Sequence, residues 1–246
     1  MEGSDAKPIL AAAGIHRRFG ALVVLDGVDF AVGAGDAIGI VGPNGAGKTT
    51  LLNILSGALR PSEGSVAFRG EDVTRAGVSR RCRLGIGRAH QVPKPFADMT
   101  VFENVFVGAA TGGGLRGQAA YARCIEVLEL CTLAGVANRR AESLGLLDRK
   151  KLELARALGT NPVVLLLDEI GAGLTDAEAD ELVKTIREVR AQGVAIVWIE
   201  HIVRVLVQIV ERLVCLDAGR VIADGDPRTV MRDAAVVDAY LGGVPA

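Results

Sequence analysis

The sequence predicts an α/β fold. A mostly parallel sheet carries helices on both faces, with an N-terminal antiparallel β subdomain and an inserted α-helical subdomain. Three patterns carry this prediction. Residues 9–35 alternate short apolar stretches with glycine, as in Val28-Asp29-Phe30-Ala31-Val32-Gly33, which reads as antiparallel strands and turns. Residues 98–160 space apolar residues three and four apart, the period of helices. From residue 163 onward, short apolar runs alternate with helical stretches, as in a parallel sheet with crossover helices.

Taken in order, Ala37-Ile38-Gly39-Ile40-Val41 suits a strand buried on both faces. A Gly-rich turn follows, then helical spacing from Thr49 to Leu59, stopped before Arg60-Pro61. Residues 62–90 read as short strands and turns. Helices are expected from Val101 to Val107, Ala119 to Leu133 and Arg149 to Leu158, with a flexible break at Thr111-Gly112-Gly113-Gly114. A strand from Val163 to Leu167, a helix from Ala177 to Ala191, a strand from Val194 to Ile199 and a helix from Ile202 to Glu211 come next. Leu213 to Leu216 and Arg220 to Ala223, joined at Asp217-Ala218-Gly219, read as a terminal hairpin. There is no internal repeat.

Composition narrows the function. Half of the 246 residues are hydrophobic, which excludes a mainly disordered chain. The 28 basic and 29 acidic residues leave a net charge of -1, against a broad phosphate-facing surface for nucleic acid. Cys82, Cys124, Cys131 and Cys215 form no C-x-x-C pair and no metal spacing with the three histidines; they read as small buried hydrophobes in a reducing cytosol. Met1-Glu2-Gly3-Ser4-Asp5 is polar and acidic, unlike a secretory signal. No apolar run approaches the ~20 residues of a spanning helix. The stretch from Ile202 to Leu216 is broken by Arg204, Gln208, Glu211 and Arg212. High hydrophobicity without a span implies a buried core or a docking surface.

The sharpest signal is Gly42-Pro43-Asn44-Gly45-Ala46-Gly47-Lys48-Thr49, a full match to G-x-x-x-x-G-K-[ST] between a strand and a helix. Glycines allow torsions and close approaches that a Cβ would block. Successive amides then point inward as an anion nest, backed by a helix N-terminus. Lys48 would reach the β- and γ-phosphates, the Thr49 hydroxyl would ligate Mg²⁺, and Thr50 would add a hydroxyl near the α-phosphate. A second signal is Val163-Val164-Leu165-Leu166-Leu167-Asp168-Glu169, an apolar strand ending in two acids. Asp168 would bind Mg²⁺ directly or through water, and Glu169 would orient and deprotonate an attacking water. His201, just past the strand ending at Ile199, would touch the γ-phosphate and hold that water. Gln91 could touch Mg²⁺ or the water, although composition alone reads it as a solvated loop residue.

These residues resemble the ATP-binding subunits of ABC transporters, over residues 9 to 241. Phe19-Gly20 matches the family's adenine-stacking aromatic. Gln91 matches its Q-loop, Asp98-Met99-Thr100-Val101-Phe102-Glu103-Asn104-Val105 its LTVxENV segment, and Glu200-His201 its switch histidine. Asp168-Glu169-Ile170-Gly171-Ala172-Gly173-Leu174-Thr175 and the tail Asp238-Ala239-Tyr240-Leu241-Gly242 look like importers of branched-chain amino acids and related small amides. The resemblance implies a P-loop, RecA-like core in one domain over 1–246, with core and β subdomain at 9–91 and 161–246 and the helical subdomain at 92–160. It implies ATP and Mg²⁺ as cofactors and a peripheral place on the cytoplasmic face of the cell membrane. The implied partners are membrane-spanning permease subunits, a second ATP-binding subunit in a heterodimer or homodimer, and indirectly a substrate-binding protein.

One element departs from the family. Its LSGGQ motif falls on Leu144-Gly145-Leu146-Leu147-Asp148, which lacks the serine hydroxyl and both glycines. In the family this element closes over ATP held by the opposite subunit. Losing one preorganised donor to a reacting phosphate costs on the order of 10²–10³ in rate, by analogy with oxyanion sites. The chain is therefore expected to work best beside a different subunit; a scaffold role is the alternative. The D-loop aspartate position is Thr175, with Asp176 one residue later. Phe96, Met99, Val101 and Phe102 fit either a docking groove for a partner helix or a helix-packing core. Other classes fit less well: there is no N-K-x-D for guanine, and Arg80-Arg81-Cys82-Arg83 is the only cluster resembling a kinase lid.

Overall fold

The apolar runs assemble into two sheets in a computed structural model that describes residues 7–241. The stretch from Met1 to Asp5 and Gly242 of the tail lie outside the described residues. β1 (Leu10–Phe19) and β2 (Leu22–Val32) pair antiparallel, from Leu10 opposite Val32 to Phe19 opposite Leu22. After β3 (Ala37–Val41) and α1 (Lys48–Ser56), β4 (Glu63–Phe68) and β5 (Glu71–Asp72) complete an antiparallel sheet ordered β2-β1-β4-β5. α2 (Val78–Leu84) leads into β6 (Ile86–Ala89). A helical block follows: α3 (Val101–Val107), a π-helical turn over Gly108–Gly112, α4 (Gly117–Leu130) and α5 (Leu146–Gly159). β7 (Val164–Asp168), α6 (Asp176–Ala191), β8 (Ala195–Ile199) and the short α7 (Val203–Leu206) come next. The hairpin β9 (Arg212–Asp217) and β10 (Arg220–Gly225) precedes α8 (Pro227–Val230) and α9 (Ala234–Leu241).

The second sheet is ordered β10-β9-β3-β8-β7-β6, parallel throughout except for β10. β3, β7 and β8 are buried at every position, so both faces must be covered. Val164, Leu166, Ala195 and Val197 pack with α1 and the antiparallel sheet, while Leu165, Leu167, Ile196 and Trp198 pack with the helical block and α6. Burying each leucine is worth about 1.5–3 kcal/mol. A one-residue slip would send every side chain to the wrong layer, so register is fixed.

Several local expectations need correction. Residues 62–90 contain α2, which the basic run Arg80 to Arg83 concealed because it shows no apolar period. Arg81 is fully buried; it is a structural plug and no lid. Its guanidinium donates to the carbonyls of Ile54 (2.6 Å) and Leu55 (2.8 Å) at the end of α1, and to those of Val73 (2.7 Å) and Ala76 (3.0 Å). Burial lowers its pKa to about 10. The expected break at Thr111 to Gly114 instead begins inside the π-helical turn, where a Cβ on Gly112 would meet Thr160 Cγ2 at 2.6 Å. The expected helix from Ile202 to Glu211 has regular helix only over Val203–Leu206; β-branched residues crowd the run and Arg190 donates to the Ile209 carbonyl. α8 and α9 had no counterpart in the sequence reading.

Arg81→Met should destabilise the fold by about 3 kcal/mol or more, because the buried carbonyls of Ile54, Leu55 and Val73 and the part-buried one of Ala76 lose a charged donor. Urea unfolding of the two proteins measures it.

Candidate active site

Register gathers the chemistry. In the parallel sheet Ile40 lies beside Ile199, Ile199 beside Asp168, and Leu167 beside Ala89. The carboxyl ends of four neighbouring strands therefore deliver the phosphate loop, His201, the two acids and Gln91 to one edge. Open parallel sheets bind ligands at that edge.

The loop from Gly42 to Lys48 turns over the end of β3 into α1. Gly42 has φ 142°, and a Cβ there would stand 2.0 Å from the Leu216 carbonyl oxygen. Gly47 has φ 101° and would strike Leu25 Cδ2 at 2.7 Å. Both positions exclude a side chain. Lys48 is buried, and its Nζ donates to the carbonyls of Gly42 (2.7 Å) and Pro43 (2.8 Å). Burial holds its ammonium below the ordinary lysine value. A cavity of about 350 Å³ is lined by Leu22, Val24, residues 44–50 and Glu169. Asn44, Gly45, Ala46, Gly47, Lys48, Thr49 and Thr50 therefore share one concave surface.

The acids face it. Asp168 is buried, with Oδ1 3.4 Å from Thr49 Oγ1. Glu169 adopts φ 47°, and its carboxylate accepts from Gln91 Nε2 at 2.5 Å and meets His201 Nε2 at 2.8 Å. Gln91, Glu169 and His201 thus form one chain of hydrogen bonds at the mouth of the loop. Phe19 sits outside the cavity: it is half exposed beneath the Arg17 guanidinium, 4.4 Å from the ring centroid, and its cross-strand partner Leu22 lines the pocket instead.

Sequence reasoning missed four supports. Arg88 bonds Asp168. Glu200 is buried; its Oε1 accepts from the Gly171 amide at 2.7 Å and its Oε2 from the His201 amide at 3.2 Å, tying the turn after β7 to the end of β8. Burial pushes its carboxyl up. Lys150 on α5 donates to the Gln91 carbonyl at 2.6 Å, and the Tyr240 hydroxyl on α9 accepts from the Gly42 amide at 2.9 Å. Apart from the Glu200 bond to the neighbouring His201 amide, each partner lies far along the chain, so no spacing signals the contact.

The remaining candidates divide. Thr175 caps α6 in a reciprocal pair with Glu178, and Asp176 pairs with Arg204 at 2.6 Å. Gly145 caps α5, so Leu146 and Leu147 open that helix; Leu146 is 46% exposed. Val101 is buried and Phe102 stacks with Phe106 and Tyr121, which places both in the core, whereas Phe96 and Met99 are exposed.

A P-loop nucleotide-binding cassette is the class these features define. Residues 25–172 match the model of the family described as ABC transporter, and residues 220–246 that described as branched-chain amino acid ATP-binding cassette transporter. The chain is 32% identical to a probable branched-chain amino acid transport ATP-binding protein LivG of Methanocaldococcus jannaschii, covering 97% of this chain and 99% of the relative. It is 33% identical to the high-affinity branched-chain amino acid transport ATP-binding protein BraF of Pseudomonas aeruginosa, covering 96% and 99%. It is 31% identical to the lipopolysaccharide export system ATP-binding protein LptB of Haemophilus influenzae, covering 95% and 97%. Among solved structures, the ADP conformation of an ATP-binding cassette of an ABC transporter superposes with a TM-score of 0.88 at 31% identity, covering 96% of this chain and all of the other. The chain belongs to the ABC transporter family, as its ATP-hydrolysing cassette.

Gly42→Ala should cost about 3 kcal/mol or more, lowering the melting temperature by roughly 6–12 °C in a chain of this size. Gly45→Ala, where a Cβ meets open space and only φ 83° resists, should cost less. Thermal melts of both variants test the difference.

Proposed function

We propose that this chain drives an importer for branched-chain amino acids or related small polar amides by binding and hydrolysing ATP. The observation that carries the catalytic reading is the Glu169 carboxylate, held between Gln91 and His201 beside the phosphate loop. The C-terminal family match and the two named amino-acid transport relatives support the substrate class. The similarity to a lipopolysaccharide export relative supports a reading in which other chains select the cargo.

The residues divide the work. Loop amides and the α1 N-terminus cradle the phosphates; Lys48 leaves two neutral carbonyls for charged phosphate oxygens, which are stronger acceptors. Glu169 orients a water and takes its proton, while Gln91 and His201 fix the carboxylate and the γ-phosphate side. Thr49 and Asp168 fit Mg²⁺: both present hard oxygen donors, and their 3.4 Å separation is close to the ~3 Å between adjacent corners of an octahedron with 2.0–2.1 Å bonds. No cluster of three or more His, Cys, Asp or Glu occurs among the described residues, so phosphate oxygens and water would complete the shell. When bound, Mg²⁺ neutralises charge on the β- and γ-phosphates.

The cassette sits on the cytoplasmic face of the membrane against permease subunits. Among the described residues, no helix is long and apolar enough to cross a membrane. A mostly apolar cavity of about 320 Å³, lined by Val78, Cys82, Val107, Arg156 and Thr160 among others, opens between α2, α3 and α5. It would seat a permease segment, and Lys150 would relay movement of α5 to Gln91. Gly145, Leu146 and Leu147 stand where a serine hydroxyl and two glycine amides would face a partner's ATP, and Leu146 is exposed; this supports pairing with a different ATP-binding subunit.

Glu169→Gln should lower ATP turnover by about 10²–10⁴ while retaining nucleotide; unchanged phosphate release would overturn its role as base. The purified chain alone should hydrolyse ATP about 10²–10³ slower than the reconstituted complex. Equal rates would overturn the asymmetric pairing.

A further inference from the structure

We infer that Arg88 is a positioning residue that fixes the Asp168 carboxylate so that one of its oxygens, together with Thr49, is presented to a divalent cation. The inference rests on the nucleotide-hydrolysing reading above and assigns a task to a residue that reading does not use.

Arg88 lies on β6, the edge strand beside β7. Its guanidinium reaches across to two other elements. Nη2 donates to Asp168 Oδ2 at 2.8 Å, and Nη1 donates to Asn53 Oδ1 at 2.6 Å and Ser56 Oγ at 3.0 Å, both on α1. α1 also begins with Lys48 and Thr49. One planar fork therefore binds the helix that bears the hydroxyl ligand to the strand that bears the carboxylate ligand.

The two carboxylate oxygens have different partners. Oδ2 is taken by Arg88, and Oδ1 is left 3.4 Å from Thr49 Oγ1. Turning the carboxylate would break this charge-assisted hydrogen bond. The two side chains are only 10% and 8% exposed, so water is a poor substitute. Lysine could supply the charge but not the fork, because a single ammonium on a flexible stem does not hold α1 and β7 in a fixed plane. Outer partners of this kind orient metal ligands generally, and removing them typically costs 10–100-fold in metal affinity.

The test uses the full chain carrying Glu169→Gln, so that binding is read without hydrolysis. A fluorescent ATP analogue is titrated in EDTA, and Mg²⁺ is then titrated at fixed analogue. Adding Arg88→Gln should leave affinity in EDTA within twofold and raise the Mg²⁺ concentration for half-maximal binding by about tenfold or more. Arg88→Lys should fall between. Asn53→Ala, which removes one anchor of the guanidinium, should shift the midpoint in the same direction by less. A Mg²⁺ midpoint within twofold of the parent in folded Arg88→Gln overturns the inference. So does a loss of EDTA affinity as large as the shift in midpoint, which would mark a merely structural role. If Arg88→Gln fails to fold, Arg88→Lys and Asn53→Ala decide by the same criterion. A parent that binds no analogue at any Mg²⁺ concentration overturns the nucleotide reading itself, whereas a Mg²⁺-dependent parent with unmoved variants overturns only the role of Arg88.

Discussion

The parallel pairing of β3, β8, β7 and β6 is the constraint on which the site depends. None of the reacting groups lies near its partners in the chain: Lys48, Gln91, Asp168 and His201 are separated by tens of residues. What unites them is that four neighbouring parallel strands, three of them buried at every position, stop at the same level. The hydrophobic layers above and below the sheet set that level. The core is therefore part of the chemistry, since a slipped strand would carry its terminal acid or histidine away from the phosphate loop.

Much of this was legible in the sequence. The eight-residue phosphate loop declares itself because its torsions admit few alternatives, and strands such as Val164–Asp168 announce themselves by an unbroken apolar run. Glu169 and His201 could be assigned from their places just after such strands. What stayed hidden were residues whose partners come from distant chain positions. Arg81 sits in a basic run that reads as solvated surface, yet it is buried against the end of α1. Arg88 and Lys150 carry no motif signal in the reading above, and although Glu200 and Tyr240 fall in matched segments, the contacts of all four exist only once the topology is complete. Phe19 shows the reverse case, a motif position that the fold leaves half exposed outside the cavity.

A polar network, buried at Lys150 and Glu200 and exposed at Gln91 and His201, also joins the helical block to the sheet edge. Lys150 joins the helical block to the Gln91 backbone, Gln91 joins Glu169, and Glu169 joins His201, whose amide is held by Glu200. The contacts are short, directional and partly shielded from water, where hydrogen bonds to charged groups are strongest. A few named bonds thus connect α5 to the edge of the sheet that carries the phosphate loop.

Glu169 itself occupies a left-handed backbone conformation, at φ 47°. For any residue but glycine this costs local stability, of order 1–3 kcal/mol at strained functional positions. Glycine would relax the bend, but glycine carries no carboxylate. Under the role proposed for Glu169, the most comfortable occupant of this corner would silence the cassette, so a protein engineered there for thermal robustness alone would drift toward an inert scaffold.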